Sequence, residues 1–113
     1  MEVNVREVAG IHVVELSGEL DANTSPAAQA KIMPLATEGA RILLDMGGVT
    51  FMSSAGLRLL LSMYRQVAAL KGTIALANLS EDLQDTMSMT GFHSFFTIHE
   101  TTEGGLLALQ SSN

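Results

Sequence analysis

Two short apolar runs, Arg41-Ile42-Leu43-Leu44-Asp45 and Thr73-Ile74-Ala75-Leu76-Ala77, constrain the fold more than any other feature of this chain. Each reads as a strand buried on both faces, the mark of a parallel sheet covered by helices. Between them lies the strongest helical pattern in the sequence. Leu57, Leu60, Leu61, Tyr64, Val67 and Ala68 fall on one face, and Arg58, Ser62, Arg65, Gln66 and Ala69 on the other. Ser53 or Ser54 is placed to cap this helix, and Lys71-Gly72 to end it.

The flanking segments extend the same alternation. Val3 to Val8 and Ile11 to Leu16 read as a hairpin turning at Ala9-Gly10, the first strand having one wet face. Ser17 to Ala22 leaves the sheet as a loop. Ser25-Pro26 starts a helix running to Ile32-Met33, with a kink or early end at Pro34 and closure by Gly39. Met46-Gly47-Gly48 leaves the sheet after Asp45, and Val49 to Met52 is extended. Ser80-Glu81-Asp82 opens another helix, acidic in its first turn as the dipole favours, and Gly91 ends it. Phe95 to Ile98 is the last strand. Thr101-Thr102-Glu103 begins a final helix with Leu106, Leu107 and Leu109, in which Gly104 and Gly105 each cost about 1 kcal/mol relative to alanine. The expectation is an α/β chain of order β-β-α-β-α-β-α-β-α. It forms a mixed, mainly parallel five-stranded sheet with about four helices, as a single domain over residues 1–113.

Charge and composition narrow the function classes. Twelve acidic residues against six basic give a net charge of -6, opposite to the basic patch that dominates nucleic-acid affinity. Any role in transcription is therefore expected to run through another protein. There is no cysteine, so disulfides and thiolate metal sites are excluded. No apolar stretch of ~20 residues is present to span a membrane. The first residues lack the order of a signal peptide, and a cytoplasmic location is the expectation.

The chemistry-bearing segment runs from Asp45 to Leu60: Asp-Met-Gly-Gly-Val-Thr-Phe-Met-Ser-Ser-Ala-Gly-Leu-Arg-Leu-Leu. It resembles the signature of STAS-domain anti-sigma factor antagonists, in which a strand ends in an acid and a serine-containing run ending in Gly-Leu opens a helix. Leu16-Ser17-Gly18-Glu19-Leu20-Asp21 is similar to the family's second-strand loop, and the element order agrees over nearly the whole chain. The resemblance implies the STAS fold and a non-enzymatic partner switch. The unmodified protein binds an anti-sigma factor serine kinase and frees a sigma factor. Phosphorylation breaks that complex, and a PP2C-type phosphatase restores it. The residue matching the phosphorylated serine is Ser54, with Ser53 as second choice, because Ser53 stands where many members have aspartate. Residue 55 is alanine where many have serine or threonine.

A phosphate at a helix N-terminus meets unpaired N–H groups and the positive end of the dipole, so the domain should tolerate it. The added charge of about -1.5 to -2 would instead oppose a partner that covers the site. The expected partner surface is Asp21, Met52, Ser53, Ser54, Ala55, Gly56 and Leu57, with Met52 exposed as an apolar contact. Asp21 has two readings, recognition of kinase or phosphatase, or capping of loop N–H groups. Asp45 is read as fixing a loop by hydrogen bonding.

Other chemistries are weaker. His12, His93 and His99 lack ligand spacing, no cofactor motif is present, and the Gly-x-Ser-x-Gly elbow of serine hydrolases is missing around Ser53 and Ser54. The competing reading is a STAS scaffold or accessory subunit of a signalling or membrane transport complex that is never phosphorylated.

Overall fold

The computed structural model describes residues 1–111; positions 112 and 113 of the expected domain lie outside the described residues. The sheet has five strands in spatial order β1-β2-β3-β4-β5. They are β1 (Glu2–Val8), β2 (Ile11–Leu20), β3 (Arg41–Met52), β4 (Thr73–Ala77) and β5 (Thr97–His99). β1 runs antiparallel to β2, and every later pairing is parallel. Four α-helices follow the strands: α1 (Ser25–Ile32), α2 (Ser54–Ala69), α3 (Glu81–Thr90) and α4 (Thr102–Gln110). The expected element order and mixed sheet are both present.

The strand alternation sorts the core onto two faces. Val14 and Leu16 of β2, with Ile42, Leu44 and Met46 of β3, meet the apolar sides of α1, α2 and α3. Ile11, Val13, Leu43, Ala75 and Ala77 point the other way and are covered by Leu109 of α4. Each large side chain buried here contributes about 1.5–3 kcal/mol. α4 needs only this narrow stripe, so Leu107 stays 67% exposed.

Three boundaries differ from the expectation. β2 and β3 do not leave the sheet at Ser17 and Met46: Ser17, Gly18, Glu19 and Leu20 stay paired to Gly48, Val49, Phe51 and Met52, with register shifts after Glu15 and Gly18. The Gly and Ser content reads as loop, yet it is what lets the two backbones close. A Cβ on Gly48 would sit 2.8 Å from the Leu16 carbonyl oxygen. The last strand begins at Thr97, because Phe92–Phe95 forms a 3₁₀ turn instead. That turn brings Phe95 and Phe96 against Tyr64, each with ring centroids 5.6 Å apart. The end of α1, by contrast, is as expected: the helix stops at Ile32, and Pro34 lies in the 3₁₀ turn Met33–Leu35 that follows.

α2 buries a wider arc than the one-face reading. Leu59 and Met63 join Leu57, Leu60 and Val67 in the core, while Leu61 is half-buried and Ala68 exposed. The cause is a second neighbour: α1 packs beside α2 on the Leu59 side, so the helix meets both a sheet and a helix.

Candidate functional site

The extended pairing of β2 and β3 builds the site. It lays Leu20 beside Met52 at the carboxyl ends of the two strands. The chain then turns, and the Ser53 N–H donates to the Leu20 carbonyl at 2.9 Å. Ser53 is extended and forms the N-cap of α2. Its Oγ accepts from Ala55 N at 3.2 Å and Gly56 N at 3.4 Å, satisfying two of the orphan N–H groups of the first turn.

The two candidate hydroxyls therefore differ in situation. Ser53 is half-buried and its oxygen is engaged by the cap. Ser54, the first helical residue, is exposed, and its hydroxyl has no hydrogen-bond partner among the described residues. α2 carries no acidic residue in its first turn, unlike α3 and α4. The positive end of its dipole is thus uncompensated by side chains.

Beneath Ser54 the helix touches the sheet. A Cβ on Gly56 would lie 2.6 Å from the Leu20 carbonyl oxygen and 2.8 Å from Met52 Cγ. Only glycine allows the first turn of α2 to sit this close to β2 and β3. The same closeness corrects the expectation for Met52, which is 5% exposed and packed in the core. Leu57, also 5% exposed, lies in that core as well. Phe51 shows the surface that Met52 does not, at 52% exposure. Strand alternation makes neighbours 51 and 52 point opposite ways, but no apolar pattern in Val49-Thr50-Phe51-Met52 says which one is inside.

Asp21 follows Leu20 directly and is half-buried. Its Oδ1 accepts from Asn23 N at 2.9 Å and Thr24 N at 3.1 Å, and Thr24 Oγ1 lies 3.3 Å away. The loop-capping reading of Asp21 is realised in this geometry. Asp45 also fixes loops: Oδ1 accepts from Gly47 N at 3.0 Å and Asn78 Nδ2 at 2.9 Å, and Asn78 in turn donates to Thr102 Oγ1. Asp45 thereby ties β3 to the start of α4.

A shallow groove of about 410 Å³ runs between α1 and α2, lined by Ser25 and Gln29 on one side and by Ala55, Arg58 and Ser62 on the other. The sequence reading placed Arg58 only on a solvent face. Its position one turn after Ser54 was the available signal. Among the described residues, no group of three or more His, Asp or Glu side chains is placed to hold a metal ion. Among those same described residues, no helix is long and apolar enough to cross a membrane.

Comparison with known proteins places this geometry. Residues 2–105 match the STAS domain. The anti-sigma-B factor antagonist of Bacillus subtilis is 30% identical over 106 residues, spanning 94% of this chain and 97% of that protein. An anti-sigma factor antagonist from Mycobacterium paratuberculosis superposes with a TM-score of 0.87 at 25% identity, covering 97% of this chain and 94% of the other. The Bacillus cell fate determinant SpoIIAA, solved in its phosphorylated form, shares the fold with a TM-score of 0.72 at 24% identity, over 95% of this chain and 98% of that one.

Proposed function

This chain belongs to the STAS-domain family of anti-sigma factor antagonists, and from that premise we propose that it is a cytoplasmic, non-enzymatic switch set by phosphorylation of Ser54. The unmodified domain binds an anti-sigma factor that is also a serine kinase, and a sigma factor is released. The kinase transfers the γ-phosphoryl group of ATP to Ser54 Oγ, and ADP leaves. A PP2C-type phosphatase hydrolyses the phosphate and resets the switch.

The observation that carries this reading is the division of labour between two adjacent serines. Ser53 spends its hydroxyl on the helix cap, whereas Ser54 presents an exposed hydroxyl on the same first turn. A phosphate there meets the Ser54 N–H, the one first-turn donor that Ser53 does not engage, and a favourable dipole within its own domain. Against a docked partner it must be desolvated and faces any acidic group, which opposes binding by several kcal/mol. The docking face consists of Ser54 with Asp21, Ser53 and Ala55 around it. Met52, Gly56 and Leu57 hold that face in place from beneath.

Incubation with ATP and the cognate anti-sigma kinase, read by mass spectrometry, is expected to add one phosphate to the wild type and none to Ser54→Ala. An unmodified wild type would support a scaffold role instead. Phosphate on Ser53 would move the switch by one residue and break the argument from the cap.

A further inference from the structure

We propose that Arg58 holds the phosphate of phospho-Ser54 over the rim of the α1–α2 groove, so that the modified site is closed by an ion pair within the domain. This rests on Ser54 being the modified serine. Residues four apart on a helix are neighbours, with about 5–6 Å between their Cβ atoms. Helical side chains also lean toward the N-terminus and cover the preceding turn. Arg58 is exposed and follows Ser54 by one turn, so its side chain has the reach to meet a phosphate on Ser54.

The other cations are committed or distant. Arg6 pairs with Glu15 at 3.4 Å, and Arg41 donates to the Leu109 carbonyl at 3.0 Å. Lys31 lies in the last turn of α1, Arg65 is two turns further along α2, and Lys71 follows its end. Arg58 makes no ion pair or hydrogen bond among the described residues.

No acidic side chain lines the groove to meet Arg58. Ser25 lines it on the α1 side, across from Arg58, is 8% exposed, and its Oγ is buried with no hydrogen-bond partner among the described residues. A buried hydroxyl left unpaired is costly and uncommon. The Arg58 guanidinium only donates and the Ser25 hydroxyl has an O–H to give, whereas a phosphate dianion offers only acceptors.

The test uses the full chain with phosphoserine installed at position 54 during translation, so no kinase is needed. The second ionisation of the phosphate, ordinarily near pH 6, is followed by phosphorus NMR. Glu19 of β2 and Asp21 just after it are the same in every variant, whereas a guanidinium at the phosphate lowers the pKa. Arg58→Ala is expected to raise it by roughly 0.15–0.4 pH units. Arg58→Lys should keep most of the difference, and Arg65→Ala should leave the wild-type value unchanged. Salt near 1 M should shrink the effect. Titration of Arg58→Ala at the wild-type value overturns the proposal. Failure of the switch itself shows elsewhere, as undiminished partner binding by the phosphorylated chain.

Discussion

Ser54→Asp is expected to bind the anti-sigma partner at least ~30-fold more weakly than wild type, a loss of about 2 kcal/mol, while Ser54→Ala binds within a factor of about three. The reasoning is one of placement. The Ser54 side chain is exposed on the first turn of α2 and supports nothing in the core. Its truncation therefore removes no packing, and the cap belongs to Ser53. Aspartate at the same position introduces charge but sits favourably against the helix dipole, so the domain keeps its fold. Any loss of affinity is then a property of the interface. Isothermal titration measures it, and equal affinity of the aspartate and alanine variants would contradict a charge switch.

The second large effect is on stability. Gly56→Ala would place a Cβ 2.6 Å from the Leu20 carbonyl oxygen, where backbone rather than a flexible side chain must yield. Alanine gains up to ~1 kcal/mol as a helix former, but overpacking of this kind costs about 1–3 kcal/mol and more when backbone moves. The net expectation is a loss of about 2 kcal/mol, lowering the melting temperature by roughly 8 °C. Gly56→Val should be worse, because it adds two methyl groups to a Cβ that already crowds Met52 and the Leu20 side chain. A thermal melt of either variant at the wild-type temperature would show that α2 does not rest against β2 as described. The glycine thus serves function through geometry: it seats the first turn low enough for Ser53 to reach Leu20 and leaves Ser54 outermost.

Much of this architecture was legible from residue patterns. Apolar runs such as Ile42-Leu43-Leu44 and Ile74-Ala75-Leu76 can hardly be anything but buried strands once helices flank them. The helix starts near Ser53, Ser80 and Thr101 were equally readable, though the sequence leaves the α2 cap open between Ser53 and Ser54 and the structure gives it to Ser53. Strand ends were not. Ser17-Gly18 and Gly47-Gly48 have loop composition, and only the fold reveals that their small size lets β2 and β3 continue side by side. The start of β5 was lost because Phe95 and Phe96 suit a strand by propensity but find better contacts on Tyr64.

At the site, the hydroxyl at the helix entrance was visible from the Ser-Ser-Ala-Gly-Leu run, but its surroundings were not. Met52 reads as an exposed rim residue beside the serines, yet its depth is set by Leu20, a residue 32 positions away in the chain and adjacent only through the register. Arg58 was hidden for the opposite reason. A cation on the polar face of an amphipathic helix looks like a solubilising residue until its one-turn spacing from Ser54 is set beside an unoccupied hydroxyl in the neighbouring groove.

Charge at Ser54 acts differently on the domain and on docking. Titration of the anti-sigma partner with unmodified and Ser54-phosphorylated chain, with thermal melts of both, measures the two effects together. The predicted result is affinity reduced about 100-fold or more on phosphorylation, with a melting temperature unchanged or slightly raised by the phosphate at the helix N-terminus. Equal affinity for the two forms, or weakened binding accompanied by a lowered melting temperature, would contradict it.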